Sequence, residues 1–501
     1  MKSQKKSGAL LSYLNMALSM VVNIFLTPML IDALTDEVYS IYKIMQSFTG
    51  PLVLFNLGLS TIVARSIAKF RSADDGNRIE KENTLAMAII VAMAVVGLII
   101  ALGLVMRSMV PVVYDNMTPD EVLLGQQLFL IFVISTGIHV LSDVFKGCLI
   151  GNERFTFLHG LQTVQYVVKF GGIILLLKLG AHVTWVAFVE LLNSVLFLVG
   201  SMVFSIGRLK ERPKLHYFDK KQLMLIASFA AAIILQALVN QINNHVDIMI
   251  LGAVVSDARI ITMYSSALSI YSIYNSLMSV FTGMYFPQAT RLVESGCTST
   301  RLTDFLIQPG RYQMIVAIGV LGAFALFGKD FIEVWIGAQY HEAYYVALML
   351  MVPVTVPLVE NVCISVLDAK LKRMFRSAVL AGMAIFNVIA TILLVRVMDF
   401  WGAAVATMLS LIIGHGILMN VYYQKVLGIQ VVRMFREMCR GILPVGILTS
   451  LICLPLTTWE ENTFICFLLK CGAFAVVYGL LLLKCGMNQT EKNLVKSLIK
   501  R

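Results

Sequence analysis

A line of polar side chains runs through an otherwise apolar stretch of this chain. Residues 235–252 read LQALVNQINNHVDIMILG, and within them Gln236, Asn240, Asn243 and Asp247 are spaced 4, 3 and 4 residues apart. That spacing places all four on one face of a helix. One aspartate at the centre of a membrane helix costs about 2.5–3.5 kcal/mol, whereas a leucine returns only about 0.3–0.6 kcal/mol. These side chains must therefore face water or other polar groups rather than lipid.

Three other apolar segments carry polar faces of the same kind. Their polar residues at helical spacing are Ser12, Asn15, Ser19 and Asn23; Gln162, Gln165, Tyr166 and Lys169; and Ser265, Ser269, Ser272, Ser276 and Ser279 with Tyr271 and Asn275 nearby. Hydrogen bonds between membrane helices contribute about 0.6–2 kcal/mol each, and such bonds would explain any one of these residues. Four polar faces on corresponding or neighbouring helices instead favour a hydrated central cavity, with the amides, tyrosines and Lys169 as candidates for contacting a substrate.

Several ionisable groups lie inside the predicted membrane segments, where such residues are functional candidates. Lys169 has no acid within a turn of its own helix, so it would attract an anionic substrate group unless Glu190 or Asp247 neutralises it. Asp247, Glu190 and Glu360 are candidates for binding a coupling proton or sodium ion, because buried carboxyl groups can exchange protons near neutrality.

Two local patterns bear on these charges. Asp143 and Lys146 are three residues apart, and we expect them to neutralise one another. Pro353 and Pro357, in MLMVPVTVPLVEN, predict a break in the helix just before Glu360. Such breaks occur where membrane helices bend or line a cavity.

The elements that must hold these groups are membrane helices. Of the 501 residues, 58% are hydrophobic and 14% are charged, whereas soluble domains have about 25% charged residues. A helix needs about 20 residues to cross the hydrocarbon, and about fourteen segments qualify. They are 9–33, 40–63, 84–109, 123–149, 156–179, 183–206, 223–253, 260–286, 312–328, 343–367, 377–397, 401–423, 441–458 and 463–483.

The basic residues favour one side of the membrane. Both termini and the loops on their side hold 31 of the 40 Lys and Arg residues, and the opposite loops hold mainly acids. The positive-inside rule therefore places both termini in the cytoplasm, in agreement with an even number of spans. The net charge of +11 is spread over these short loops, so it indicates topology rather than nucleic-acid binding.

The second half of the chain repeats the pattern of the first. Residues 149–188 align without gaps to 366–405, at an offset of 217, as a basic turn, a long helix, a short outer turn and another helix. We predict an all-α integral membrane protein of two six-helix bundles related by pseudo-two-fold symmetry, plus two extra C-terminal helices. In transporters built from such repeats, the substrate site lies between the halves. The predicted parts are an N-terminal lobe (1–206), a cytoplasmic connector (207–222), a C-terminal lobe (223–423) and a loop, two helices and basic tail (424–501).

The sequence has no recognisable catalytic motif. It contains no GxxxxGK[ST] phosphate-binding loop, no GxSxG and no His/Cys cluster, and its eight cysteines show no CxxC spacing. We therefore predict that the protein is not an enzyme and uses no metal or cofactor.

Four segments carry a family resemblance. They are LVLFNLGLSTIVARSIAKF (52–70), VDIMILGAVVSDARIITMYSSA (246–267), FIEVWIGAQYHEAYYVALMLM (331–351) and FWGAAVATMLSLI (400–412). Together they resemble bacterial polysaccharide flippases of the MOP superfamily, the Wzx-type O-antigen and capsule transporters, over essentially the whole chain. The resemblance implies a V-shaped fold of two lobes. It also implies export of undecaprenyl-pyrophosphate-linked oligosaccharide across the bacterial inner membrane by alternating access, coupled to an ion gradient.

The resemblance also assigns expected roles and partners. The polar cavity would shelter sugars, Lys169 would attract the pyrophosphate, and Asp247 is the first candidate for ion coupling. The expected partners are the lipid-linked oligosaccharide, membrane lipids, a glycan polymerase and a chain-length regulator. Relatives that flip the peptidoglycan precursor have several cavity arginines, and the predicted spans 9–33 and 223–253 have none, which argues against lipid II as the substrate.

The alternative class is a cation-coupled multidrug or metabolite antiporter, from the multidrug branch of the same superfamily. Such antiporters have twelve spans and commonly an acid in the N-terminal lobe. Here the first span has no acid inside the membrane, and two further spans follow the repeat. The sequence therefore favours the polysaccharide branch. A non-transporting scaffold for glycan assembly would explain neither the repeat nor the polar faces.

Overall fold

The computed structural model describes most of the chain as helices. The described residues are 2–53, 59–71, 78–115, 117–218, 224, 246–279, 286–370, 373–459 and 463–493. No strand occurs in these ranges, so the all-α prediction is confirmed for them. The chain divides into two compact units, Met1–Thr262 and Met263–Arg501. The lobe boundaries inferred from the repeat stay a prediction.

The first unit is a bundle in which α6 packs against α4, α5 and α8, while α7 packs against α1 and α8. Its described helices are α1 (Lys2–Ala33), α2 (Asp36–Phe48), α3 (Gly50–Val53), α4 (Leu59–Arg71), α5 (Arg78–Val113), α6 (Pro119–Gly151), α7 (Phe155–Lys178), α8 (Val183–Val203) with a final π-helical turn (Phe204–Arg208), and α9 (246–254). At the start of α6, Thr118 and Glu121 form a reciprocal capping box, which satisfies backbone N–H groups that a helix leaves free. The sequence itself therefore marks where α6 begins.

Helices α4 and α6 approach each other closely because α6 carries glycines four residues apart. A Cβ atom at Gly147 would lie 2.7 Å from the carbonyl oxygen of Ser60, and one at Gly151 would lie 2.9 Å from that of Ala64. Small residues at this spacing let membrane helices pack backbone against backbone. Larger side chains at these two positions would push α4 away from the centre of the bundle.

The described part of the connector is held against the first unit. His216 contacts Glu82 at 2.9 Å, and Asn83 accepts hydrogen bonds from the backbone N–H groups of His216 and Tyr217 at 3.1 and 3.2 Å. Glu211 receives a further hydrogen bond from Asn152 at 2.9 Å. The segment after α8 therefore follows the ends of α5 and α6 rather than extending freely.

The second unit is organised around its longest helix, α12, which packs against α13, α18, α19 and α20. Its described helices are α10 (Ala258–Ser279, across the division between the units), α11 (Phe286–Glu294), α12 (Ser299–Ile336), α13 (Ala343–Val359), α14 (Val362–Ala369), α15 (Arg373–Met398), α16 (Phe400–Leu411), α17 (Asn420–Tyr422), α18 (Val431–Cys439), α19 (Ile442–Cys453) and α20 (Phe464–Leu481). Short 3-10 or π turns join several of them, at Ala338–Tyr340, Ile412–Met419, Tyr423–Leu427, Leu454–Thr458 and Leu482–Gly486.

Ten described helices are long and apolar enough to cross a membrane, and each corresponds to one predicted span. The protein is thus a multi-pass membrane protein. The four remaining predicted segments, 40–63, 223–253, 260–286 and 343–367, are interrupted by a helix break or by residues outside the described ranges, or are less apolar. The total of fourteen spans stays a prediction.

The predicted break in span ten is present. Helix α13 runs through Pro353 and Pro357 and ends at Val359. Glu360 and Asn361 form a turn before α14 begins. Proline lacks the N–H that continues a helical hydrogen-bond ladder, so the two prolines weaken the last turns and place the acid at the interruption.

A buried arginine ties the last helices to α12. The Arg311 guanidinium contacts the two carboxylate oxygens of Glu491 at 2.6 and 3.1 Å. It also donates to the carbonyl oxygens of Glu437, Arg440 and Gly486 at 2.8, 2.8 and 2.9 Å. Carbonyl groups at helix ends have no intrahelical donor, and Arg311 supplies donors to three such groups, two at the end of α18 and one at the end of the turn after α20.

A second buried cation fixes α20. Lys470 is 2% exposed, and its ammonium donates to Asp330 at 2.7 Å and to the carbonyl oxygen of Trp459 at 2.8 Å. The two C-terminal helices are therefore integral to the second unit.

A stacked pair of rings occurs at equivalent points of the two predicted repeats. Phe157 of α7 stacks on Phe204 after α8, with ring centroids 3.8 Å apart. Phe375 of α15 stacks on Tyr422 after α16, with centroids 4.0 Å apart. Phe375 and Tyr422 each lie 218 positions after the corresponding residue of the first pair, which is close to the offset of 217 between the two repeats. The recurrence supports the repeat, whose symmetry stays a prediction.

Candidate functional site

The polar face of α7 meets α1 through a closed set of hydrogen bonds. Asn15 of α1 is 5% exposed; it donates to the carbonyl oxygen of His159 at 2.7 Å and accepts from Thr163 at 2.6 Å. The His159 ring contacts the side-chain oxygen of Gln162 at 2.8 Å. For Asn15, the structure shows the interhelical hydrogen bonding that was the alternative to a cavity.

Further along α7, the same face meets α8 through a hydrogen bond and an ion pair. Gln165 donates to the carbonyl oxygen of Asn193 at 3.0 Å. The ammonium of Lys169 lies 2.5 Å from a carboxylate oxygen of Glu190, and the side chains are 27% and 19% exposed. Of the two acids considered as partners for Lys169, Glu190 is the one it contacts.

A second cation stands near this ion pair. Lys43 of α2 interacts electrostatically with both Lys169 and Glu190, and its ammonium lies 5.5 Å from the ring centroid of Tyr39. Tyr42 also interacts with Glu190. Lys43, Lys169 and Glu190, which we call the charge cluster, carry two positive charges and one negative charge. The charge cluster thus has a net positive charge, and Lys169 and Glu190 lie on helices that are long and apolar enough to cross a membrane.

The start of α2 positions Lys43. Thr35 caps α2, accepting from the backbone N–H of Val38, and two acids occupy the first turn, where the helix dipole favours negative charge. A backbone hydrogen bond, together with the hydroxyl of Thr35, holds the pKa of Glu37 below its usual value. Lys43 follows two turns later, on a helix whose other residues are largely buried.

Helix α6 adds a further ion pair and a histidine. Lys146 lies 3.5 Å from Asp143 on the same helix, which confirms that these two charges neutralise one another. His139, one turn earlier, interacts electrostatically with Glu190, Lys169 and Lys146. Helix α6 thus adds His139 to the surroundings of the charge cluster that α2, α7 and α8 form.

In the second unit, Glu360 is a buried carboxyl group at the break between α13 and α14. It is 2% exposed, and neither of its oxygens has a hydrogen-bond partner of good geometry in the described part of the chain. The side chain of Asn420 lies beside it, but the Asn420 amide donates to the carbonyl oxygens of His415 and Gly416 at 3.1 and 3.3 Å. An ionised carboxylate in such a place is costly, so the site is suited to taking up a cation or a proton.

The other candidates are dispersed or lie outside the described residues. Asn23 is exposed on α1. Asp247 is 4% exposed on α9, and on α10 Asn275 donates to the carbonyl oxygen of Tyr271 at 3.4 Å. Gln236, Asn240 and Asn243 lie outside the described residues, so their predicted role in a cavity stays a prediction.

Sequence reasoning missed Lys43. The residue lies in SIYKIMQ, within a segment predicted as a span from its average hydropathy. A separate search for every lysine inside a predicted span would have identified it, because such residues are rare and functional by default.

Buried charges, hydrogen-bonding helix faces and many apolar helices occur together in the described part of the chain. The fold agrees with solved transporters. A structure titled lipid II flippase MurJ, inward closed conformation, matches with a TM-score of 0.73 at 15% identity, over 95% of this chain and 97% of that one.

Structures of MATE transporters are similar over somewhat less of the chain. An inward-facing multidrug resistance MATE family transporter of the MOP superfamily has a TM-score of 0.58 at 12% identity, covering 80% of this chain and 93% of that one. A point mutant of the Vibrio cholerae MATE transporter VcmN has a TM-score of 0.52 at 12% identity, covering 86% of this chain and 100% of that one.

The polysaccharide biosynthesis protein family matches residues 7–293. This is more than half of the chain, so the protein belongs to that family, and the resemblance found in the sequence is confirmed. No curated protein sequence matches the chain.

Proposed function

We propose that this protein is a flippase that exports undecaprenyl-pyrophosphate-linked oligosaccharide repeat units across the bacterial inner membrane for O-antigen, capsule or exopolysaccharide synthesis. Its family supports a role in polysaccharide biosynthesis, and its fold supports transport. The single observation that carries the proposal is the charge cluster, a net positive site formed by Lys43, Lys169 and Glu190.

The charge cluster suits a substrate with a pyrophosphate group. An ammonium is a compact charge with three donors, and its attraction for phosphate is stronger in a partly buried site than in water. In the absence of substrate, Glu190 holds Lys169 in place and neutralises it. When a pyrophosphate enters, its oxygens replace the carboxylate on Lys169, and Glu190 stays near Lys43. Binding is thereby reversible, as transport requires.

The remaining polar groups complete the proposed cycle. Amides such as Gln162 and Gln165 offer donors and acceptors to sugar hydroxyl groups. Asp247 and Glu360 are the proposed sites for a coupling proton or sodium ion, and alternating access would expose the substrate first to the cytoplasm and then to the outer face. A glycan polymerase and a chain-length regulator are the proposed partners on that outer face.

The experiment that tests the proposal is complementation in a bacterium from which the native gene has been deleted. Surface glycan and lipid-linked oligosaccharide would be measured with the wild type, Lys169→Ala, Lys43→Ala and, as the matched control, Lys178→Ala. Lys178 lies at the exposed end of the same helix. We expect the deletion to trap lipid-linked repeat units on the inner leaflet, both cluster variants to lower surface glycan at least tenfold, and the control to restore it.

Two results would contradict the proposal. Normal surface glycan in the deletion strain, with new sensitivity to cationic drugs, would indicate the cation-coupled antiporter instead. Full rescue by both cluster variants, at wild-type protein levels in the membrane, would show that the charge cluster does not bind the substrate.

A further inference from the structure

Two adjoining recesses open where α7 begins and α8 ends. Each has a volume of about 520 Å³, and the stacked rings of Phe157 and Phe204 separate them, with an angle of 17° between their planes. Arg208 lines both. The other residues are Val199, Gly200, Val203 and Gly207 on one side and Arg154, Thr156 and Leu209 on the other. One recess is therefore apolar and the other basic.

The chain builds these recesses with two local irregularities. Glu153 has a φ of 55°, in the left-handed region, and this sharp turn sets Arg154 at the start of α7. The helix cap formed by Arg154 has no side-chain hydrogen bond. After Val203 the chain continues as a π-helical turn that ends at Arg208, and π-helical turns are frequent at functional sites.

The rings that separate the recesses are firmly supported. Phe157 and Phe204 pack against a buried cluster of Leu149, Leu158 and Phe197. The recess floor is therefore part of the core of the first unit, and the shape does not depend on exposed side chains alone.

Among the described residues, no acidic side chain lines the basic recess. Arg154 and Arg208 are both exposed, and neither forms an ion pair in the described part of the chain. The Arg208 guanidinium lies 5.9 Å from the ring centroid of Phe204, close enough for a cation–π contact that restrains it. Two guanidinium groups held near one helix N-terminus provide the donors and the field that a phosphate group prefers.

The apolar recess lies on the exposed face of α8. Val199 and Val203 are 46% and 60% exposed on α8, one turn apart, and they lead directly to the ring pair and the arginines. A phospholipid has the same order of chemistry, an acyl chain followed by a phosphate. Basic pockets between helices at the membrane surface are known to hold anionic lipid head groups.

We propose that these recesses bind one anionic phospholipid of the leaflet at this membrane surface, with its phosphate on Arg154 and Arg208 and an acyl chain across Val199 and Val203. The lipid is a resident ligand and is not transported. The site shares no residue with the charge cluster, so the inference stands independently of the proposed function.

The test uses the full-length protein purified in detergent and native mass spectrometry. Phosphatidylglycerol is titrated into the wild type, Arg154→Gln/Arg208→Gln and the matched control Arg212→Gln/Lys425→Gln, which removes two other exposed basic residues that line neither recess. Phosphatidylcholine, which has the same chains and phosphate but no net charge, is titrated in parallel. We expect the first phosphatidylglycerol to bind the wild type and the control equally, and the recess variant at least tenfold more weakly.

Three outcomes would overturn the inference. Equal binding of phosphatidylglycerol by the recess variant would show that the arginines do not hold it. Equal binding of phosphatidylcholine and phosphatidylglycerol by the wild type would indicate an unspecific lipid shell. If equimolar polyprenyl phosphate displaces phosphatidylglycerol from the wild type, and this displacement is lost in the recess variant, the recesses bind the carrier lipid instead. Because both arginines are exposed, we expect the variant to fold, and its melting temperature without added lipid checks this.

Discussion

Replacing Arg311 with methionine should loosen the last helices of the chain. The substitution keeps much of the side-chain length but removes all five contacts of the guanidinium with oxygen atoms. Glu491, which is 2% exposed, would keep the hydrogen bonds from Gln308 and the backbone N–H of Asn488, at 3.2 and 2.8 Å. A buried carboxylate would thus lose its counter-charge, and three helix-end carbonyl groups would lose a donor.

The expected cost follows from that geometry. Removing one partner of a buried ion pair costs about 3–5 kcal/mol. Arg433 provides the matched comparison: it contacts Asp304 at 2.7 Å, but the two side chains are 42% and 53% exposed. Arg433→Met should therefore cost no more than about 1 kcal/mol. The double variant Arg311→Met/Glu491→Met should be more stable than Arg311→Met alone, because it also removes the unpaired charge.

Thiol labelling can measure this difference in the folded protein. Cys466 is a free cysteine in α20 and is 4% exposed, so it should react only when α20 opens. A loss of 3–5 kcal/mol would raise its labelling rate roughly 10²–10⁴-fold, at tenfold per 1.4 kcal/mol. Labelling of Arg311→Met at the rate of Arg433→Met would refute the reasoning, and a double variant less stable than the single would show that the unpaired carboxylate is not the main cost.

Two further substitutions test other buried features. Glu360→Gln should leave the melting temperature unchanged or raise it, because it removes a buried carboxylate that has no well-placed donor in the described part of the chain. It should also lower surface glycan in the complementation assay, and unchanged glycan would exclude Glu360 from ion coupling. Gly147→Val should destabilise the first unit by about 1–3 kcal/mol, since a Cβ atom there would lie 2.7 Å from the carbonyl oxygen of Ser60. Gly97→Val, where a Cβ atom meets nothing within 4 Å, is the control, and equal melting temperatures for the two variants would contradict the close α4–α6 packing.

The membrane helices could be predicted well from the sequence, because each helix in lipid must satisfy its own backbone hydrogen bonds and must itself be apolar. Ten segments could therefore be found one at a time. The break at Glu360 was also predictable, because Pro353 and Pro357 act on their own helix. The interruption of 40–63 was not, because its average hydropathy conceals the short helices within it.

Partners between helices were harder to predict. Spacing identified Lys169 as a charge in the membrane, but choosing Glu190 over Asp247 requires knowledge of which helix packs beside α7. Asn15 shows a second limit of prediction from the sequence. It lies on a polar helix face, as predicted, yet its hydrogen bonds are made with α7, and helical periodicity alone does not distinguish a neighbouring helix from water.

The ion pair between Arg311 and Glu491 can form only late in the synthesis of the chain. The two residues are 180 positions apart, so at about 5–20 residues per second the ribosome makes the carboxylate roughly 9–36 s after the guanidinium. During that interval Arg311 has no carboxylate to accompany it into the core of the second unit. The buried contacts of Arg311 with Glu491 and Gly486 can therefore close only after the last helices of the chain have been made.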